Sequence, residues 1–144
     1  MCINMMNEVE IKELLKKRNL KATGTRLDLL LKMQKHGSAI SHSSIQKQMN
    51  PINRVTLYRT INTLKDKGII HEAFQEKNEI YYAICGTNCE EHCHHHEHIH
   101  FKCLKCEEIS CKDLDQHFNI SIPNHEIHNI SVQVDGVCDE CYAY

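Results

Sequence analysis

The sequence has no apolar run approaching the length of about 20 residues that a membrane-spanning helix requires. It also has no charged-then-apolar leader of the kind that directs secretion. Tryptophan is absent, and only 2 prolines and 5 glycines occur among 144 residues. We therefore expect a cytoplasmic protein with no membrane partner, of a size that forms one medium domain or two small ones.

The net charge of −2 hides two halves of opposite sign. Residues 1–75 carry 13 Lys and Arg against 6 Asp and Glu, whereas residues 76–144 carry 4 against 13. This split indicates that only the first half meets a polyanion such as nucleic acid. An ordinary solvated surface is the alternative that charge alone leaves open.

Cysteine and histidine are abundant, with 9 and 12 residues. An odd number of cysteines without a secretory leader argues against a disulfide framework, because the cytosol keeps thiols reduced. In the C-terminal half the thiols lie among imidazoles and carboxylates, and these groups together are metal ligands.

Periodicity and helix-end signals predict four helices and then a β-hairpin in the N-terminal half. In the first helix Val9, Ile11, Leu14 and Leu15 have helical spacing. The helices are expected at 8–18, 25–36 (ended by Gly37), 41–49 (capped by Ser41) and 54–68 (capped by Asn53), and the hairpin strands at 69–74 and 79–84. This order is that of a winged helix-turn-helix, whose fourth helix would lie in the major groove of DNA.

The fourth helix divides into a core stripe and a polar remainder. Apolar residues at i, i+4 and i+7 should face a core, which leaves the other faces available. Tyrosine and arginine donors suit phosphates, and arginine can also read guanine. The candidates for DNA contact on this helix are Arg54, Thr56, Tyr58 and Arg59. A helical bundle with a merely solvated basic face is the competing interpretation.

In the C-terminal half, residues 85–97 show no core-forming pattern and are expected to form a hinge or a metal-organised loop. Strands are predicted at 99–103, 107–111 and 127–134, with a short helix at 113–119. The overall fold class is therefore α+β.

Two Cys-x-x-Cys motifs carry the most specific signal in the chain. Cys103 and Cys106 are followed, after 31 residues, by Cys138 and Cys141. Two such motifs can supply four thiolates to one tetrahedral zinc ion, the closed arrangement of a structural site. A redox role is the competing interpretation, and the presence of two copies favours zinc.

A histidine-rich run precedes the first of these motifs. If it forms a strand, His96, His98 and His100 share one face and could hold a second, reversible metal. Candidate partners from neighbouring strands are His71, Cys85 and Cys111.

Two enzyme motifs match only formally. Residues 96–100 fit HExxH, but that motif needs a helix, whereas this segment has a β pattern and leads into a Cys-x-x-Cys turn. A deaminase signature would require a proline before its first cysteine, and none is present. We therefore expect no catalytic residue, no enzyme activity and no small organic substrate.

The successive segments LKATGTRLDLL, RVTLYRTINTLKDKGII, HIHFKCLKC and GVCDEC resemble the ferric uptake regulator superfamily over about residues 10–142. The resemblance implies a winged-helix DNA-binding domain at 1–84, the hinge at 85–97, and a small α/β dimerisation and metal-binding domain at 98–144. It also implies a metal-sensing transcriptional repressor that binds palindromic double-stranded operator DNA as a homodimer when its regulatory metal is loaded.

The resemblance also assigns roles to residues. It implies a structural zinc on Cys103, Cys106, Cys138 and Cys141. Tyr58 and Arg59 match its DNA contacts, Lys21 lies near a basic contact position, and His98 and His100 match a pattern that feeds the sensing site.

Departures from the family pattern point to the zinc uptake branch. Ala39 stands where iron- and peroxide-type members usually have a histidine, and Cys111 where oxygen ligands often occur. His71 and Cys85 look similar to ligands of zinc uptake regulators, and thiolates suit Zn²⁺ better than Fe²⁺ or Mn²⁺. The expected regulatory zinc ligands are therefore His71, Cys85, Cys111 and one of His96, His98 and His100. An iron- or peroxide-responsive regulator, with Fe or Mn as the regulatory metal, and a zinc-storage module that binds no DNA are the alternatives.

Overall fold

The computed structural model describes residues 5–84, 98–116, 119–127 and 132–143. Contacts between Cα atoms divide the chain into an N-terminal unit, Cys2–His95, and a C-terminal unit, His96–Tyr144. The hinge expected at 85–97 lies outside the described residues. None of the helices in the described ranges has the length and apolar character that crossing a membrane requires.

The N-terminal unit contains the four predicted helices, each beginning at a polar cap. They are α1 (Glu8–Lys17), α2 (Gly24–His36), α3 (His42–Gln48) and α4 (Arg54–Asp66). In each case the side chain before the helix accepts an N–H from the first turn, and so satisfies a donor that has no partner within the helix. The capping residues are Asn7, Thr23, Ser41 and Asn53. Local signals therefore set where all four helices begin.

The predicted hairpin is confirmed and gains a third strand. Strands β2 (Ile70–Glu76) and β3 (Glu79–Ile84) are antiparallel, and β1 (Ile40–Ser41) pairs with the outer side of β3. Lys77 and Asn78 both have positive φ, as a two-residue type I′ turn requires. Strand β2 therefore continues two residues beyond its predicted end, and the turn is shorter than predicted.

The core of this unit contains the stripe predicted on α4. Leu57, Ile61 and Leu64 are all buried, together with Ile11 and Leu15 of α1. Val9, which was expected on the same apolar face of α1, is exposed. Its side chain lies about 200° around the helix from that of Ile11, because successive residues turn by 100°.

The described residues of the C-terminal unit form a three-stranded sheet and one short helix. Its elements are β4 (His98–Cys103), β5 (Ile109–Asp113), β6 (Gln133–Gly136) and α5 (Asp139–Tyr142). Strand β4 is central, antiparallel to β5 and parallel to β6. The predicted strands around the first Cys-x-x-Cys turn are thus present, with β5 displaced by two residues.

Two predictions for the C-terminal unit need correction. The helix expected at 113–119 is wrong for the described residues of that range, since Asp113 pairs with His98 in β5 and residues 114–116 and 119 are not helical. Pairing with β4 outweighs local helix propensity at Asp113. The strand expected at 127–134 is observed at Gln133–Gly136, while residues 128–131 lie outside the described residues.

Candidate metal centre and nucleic-acid interface

The four cysteines of the two Cys-x-x-Cys motifs meet because of sheet pairing. Cys103 is buried at the end of β4, and Cys106 lies in the turn that follows. Cys138 and Cys141 lie at the start of α5 and within it. The parallel register of β4 and β6 sets Cys103 opposite Gly136, two residues before Cys138. Strand pairing thus brings together two motifs that are distant in sequence.

The geometry of the four thiols fits a tetrahedral metal ion. Their Sγ atoms all lie within 4.8 Å of one another, and those of Cys106 and Cys138 are 3.9 Å apart. Zinc–sulfur bonds of about 2.3 Å in a tetrahedron place the sulfurs about 3.8 Å apart. The residues present therefore fit a zinc ion with four thiolate ligands.

The thiols differ in their readiness to ionise. Hydrogen bonds from the backbone N–H groups of Cys106 and Cys138 lower the pKa of Cys103 to about 6. The backbone nitrogen of Cys138 lies 3.4 Å from the Sγ atom of Cys103. Hydrogen bonding with the Cys138 thiol, followed by burial, raises the pKa of Cys141 to about 12. Since adjacent thiolates repel one another, full ionisation needs a cation, and metal binding would release protons.

The candidate DNA-binding residues of α4 lie on its exposed faces. Tyr58 is 62% exposed, and Arg54, Thr56 and Arg59 are also exposed. The Asn53 side chain accepts the N–H groups of Val55 and Thr56 at 2.8 and 3.3 Å, which fixes the first turn of the helix.

Lys21 lies outside α4, in the segment before α2. It is exposed, and its carbonyl oxygen accepts a hydrogen bond from Nη1 of Arg26 at 2.9 Å. Its backbone is thereby tied to α2, while its ammonium group is available at the surface.

An open cleft between α3 and α4 adds residues that sequence reasoning missed. His42 and Gln46 of α3 line it, together with Val55 of α4 and three further residues, Arg54, Leu57 and Tyr58. Val55 could have been found from its spacing, because it precedes Tyr58 by three positions and Arg59 by four, and residues at these spacings are adjacent on a helix.

The expected regulatory ligands are only partly within the described residues. His71 lies half-buried in β2. The register of β4 and β5 sets the backbone of His100 opposite that of Cys111, and His98 opposite Asp113. Cys85 and His96 lie outside the described residues.

A winged helix with an exposed basic fourth helix, in one chain with a cluster of four thiols, defines a DNA-binding regulator that contains a metal centre. The chain belongs to the ferric uptake regulator family, whose model matches residues 17–135. It is thus a metal-responsive transcription regulator of that family.

A known relative agrees with this assignment, and two solved structures share the fold. The ferric uptake regulation protein of Staphylococcus epidermidis is 33% identical over 142 residues, covering 94% of this chain and 96% of the relative. The solved structure of holo XcZur matches with a TM-score of 0.69 at 14% identity, covering 95% of this chain and 97% of that one. A zinc uptake regulator solved with zinc and DNA matches with a TM-score of 0.63 at 19% identity, covering 94% and 93%. These two structures share the fold.

Proposed function

We propose that this chain is a cytoplasmic, zinc-responsive transcriptional repressor that binds palindromic operator DNA as a homodimer when its regulatory zinc is loaded. The observation that carries the proposal is the combination of a four-thiol cluster in one unit with an exposed, basic recognition helix in the other. Cys103, Cys106, Cys138 and Cys141 would hold the structural zinc.

Donor chemistry supports zinc as the regulatory metal. The proposed ligands include two thiols, Cys85 and Cys111, and thiolates favour Zn²⁺ over the harder Fe²⁺ and Mn²⁺. The register that sets His100 opposite Cys111 favours His100 as the one ligand taken from His96, His98 and His100, with His71 as the other proposed imidazole ligand. A structure with the same fold holds both zinc and DNA.

DNA contact follows from the exposed side chains of α4. Arg54 and Arg59 would neutralise phosphates or read guanine, while Thr56 and Tyr58 donate hydrogen bonds. Lys21 would add a phosphate contact. Because such contacts release counterions, operator affinity should fall steeply as salt concentration rises.

Dimerisation is supported by the surface of the C-terminal unit. Among its described side chains, the buried apolar residues are Cys103 and Ile109. Exposed apolar residues are more numerous, namely Leu104, Ile120, Ile122, Val137 and Tyr142. Burial of this surface against a second copy would stabilise a unit with a small core of its own. A two-fold dimer would in turn require a palindromic operator.

Metal control requires that zinc bind the DNA-competent form more tightly than the incompetent one. A ligand with equal affinity for both forms would shift no equilibrium. Thiol and imidazole ligands must lose protons to bind, so the response to zinc should weaken as pH falls.

The decisive experiment is operator binding titrated with Zn²⁺, Fe²⁺ and Mn²⁺ against buffered chelator, with the metal content of each subunit measured in parallel. Binding that begins as a second zinc loads is the expected result. Metal uptake without binding to any DNA would indicate a zinc-storage module instead.

Replacement of Cys85 tests the regulatory site separately from the structural one. Cys85→Ser should retain the first zinc and need a higher free zinc concentration to bind operator. Cys2→Ser, outside both proposed ligand sets, is the matched control. A Cys85→Ser protein with unchanged zinc sensitivity would contradict the ligand assignment.

An iron-responsive regulator is the second candidate, and relatedness favours it. The staphylococcal relative is named for ferric uptake and is 33% identical, whereas the two zinc uptake regulators with the same fold are 14 and 19% identical. Operator binding activated by Fe²⁺ in the same titration, and not by a second zinc, would establish this candidate.

A further inference from the structure

The outer face of α4 carries an exposed aliphatic side chain that neither the core nor the charged DNA contacts explain. Val55 is 55% exposed in the first turn of the helix. Successive residues of an α-helix are 100° apart, so Val55 lies about 200° from buried Leu57 and points away from the core.

Val55 has polar and aromatic neighbours on the same face. Tyr58 and Arg59 follow at i+3 and i+4, the spacings at which helix side chains are adjacent. Both are exposed. Val55 and Tyr58 also line one side of the α3–α4 cleft, and His42 and Gln46 line the other. An apolar pair is thus surrounded by hydrogen-bonding and cationic groups.

These neighbours decide which partner fits. Arg54 directly precedes Val55, and Arg59 follows it at i+4. Their positive charges favour a polyanion over an apolar peptide as the partner. In the major groove of DNA, the apolar group on the base edges is the C5-methyl of thymine. The N-terminal residues of a recognition helix contact base edges, and Val55 is the second residue of α4.

We propose that Val55 is a specificity-determining residue that contacts the C5-methyl group of one thymine in each operator half-site, with Tyr58 completing the apolar contact. This inference rests on the proposed DNA-binding function. Replacing thymine by uracil tests it directly, because the replacement removes the methyl group and leaves base pairing unchanged.

The test uses the full-length protein, loaded with the metal that gives tightest binding, and a duplex that it selects from a random-sequence pool. Each thymine of one half-site is replaced in turn by deoxyuridine, and affinity is measured by fluorescence anisotropy. At one position the wild-type protein should lose about fourfold in affinity, the factor that corresponds to burying one methyl group.

Val55→Ala should bind the thymine duplex more weakly and lose the difference between thymine and uracil at that position. Val9→Ala is the matched control, since it removes the same atoms from a valine of α1 that is 63% exposed. It should behave as the wild type does. Alanine has the higher helix propensity, so both variants should keep the helical circular dichroism of the wild type.

The outcomes separate this inference from the proposed function. Wild-type binding that is insensitive to every thymine methyl would overturn the role of Val55, as would a Val55→Ala protein that keeps the thymine preference. Either result would leave operator binding itself intact. Failure of the wild-type protein to select any duplex with any metal would overturn the proposed function and the inference together.

Discussion

Gly136 lies where the sheet of the C-terminal unit meets the second pair of cysteines. Its carbonyl oxygen accepts the N–H of Leu104 at 2.7 Å, which links β6 to the turn between the first two cysteines. A Cβ atom at this position would lie 3.0 and 3.1 Å from two ring carbons of Phe101. The close approach of this ring therefore explains glycine here, and no unusual φ is involved.

Gly136→Ala should lower the free energy of unfolding by about 1 kcal/mol, because the Phe101 ring must shift and overpacking outweighs the smaller entropic gain from alanine. Zinc should also be lost faster to a chelator. Gly24→Ala is the control, since its Cβ would have no neighbour within 4 Å. Chemical denaturation and chelator competition measure both effects. Equal stability of the two variants would show that the ring moves aside freely.

Glu79 links the wing, the hairpin of β2 and β3, to α3 through its carboxylate. Its Oε1 atom accepts the backbone N–H of Ser43 at 2.7 Å, at the N-terminal end of that helix. This hydrogen bond, followed by one to the Ser43 side chain, lowers the pKa of Glu79 from its ordinary value. A carboxylate near a helix N-terminus is also favoured by the helix dipole.

Glu79→Gln should reduce the loss of stability in acid. Because the folded pKa is depressed, the stabilisation is complete above the unfolded value of about 4.3 and is lost as pH falls through the folded pKa. The carboxylate is largely exposed, so the effect should be only a few tenths of a kcal/mol. The free energy of unfolding of each variant is measured at a pH above and a pH below about 4.3, the unfolded pKa. Glu13→Gln, at an exposed position of α1, is the control, and an equal acid response of the two variants would contradict the prediction.

At the scale of the element, the start of α4, the proposed recognition helix, depends on one side chain. Asn53 accepts two N–H groups of the first turn, and the residues whose positions it fixes include the candidate DNA contacts Arg54 and Thr56. Loss of the cap would unravel the first turn before it affected the buried stripe at Leu57 and Ile61.

Asn53→Ala should cost about 1 kcal/mol of stability, the usual effect of removing an N-cap acceptor, and should weaken operator binding by releasing the first turn. Asn53→Asp keeps the acceptor and should retain stability, yet weaken binding at low salt by repelling phosphates. Thermal unfolding and anisotropy measure the two properties. Stability unchanged in Asn53→Ala would show that this cap is dispensable.

At the scale of the whole molecule, the two units differ in what stabilises them. The N-terminal unit has an extensive core that includes residues of all four helices and the wing. In the described part of the C-terminal unit, by contrast, Cys103 and Ile109 are the buried apolar side chains, and the thiol cluster joins β4 to α5. We therefore expect the stability of the second unit, but not that of the first, to depend on a bound metal ion.

Removing the metal with a strong chelator should unfold the C-terminal unit and leave the N-terminal unit folded. In amide NMR spectra, dispersed signals of Leu57, Ile61 and Leu64 should persist, while those of β4 and β5 collapse. Cys106→Ser should give the same result without chelator, with Cys2→Ser as control. Simultaneous collapse of both sets of signals would contradict independent stabilisation.

Local sequence determined the four helices, their caps, the hairpin and the stripe on α4, because a cap acts within one turn and periodicity within a few. The spacing of the cysteines likewise predicted which thiols would share a site. Only the tertiary structure decided that parallel pairing of β4 with β6 sets Cys103 beside Gly136, and that β5 extends to Asp113 where a helix was expected. Such pairings join residues far apart in the chain, so their free energy depends on the partner strand and not on the local sequence. The exposure of Val9 and Val55 also depended on which helix faces the core covers, and that is decided by packing.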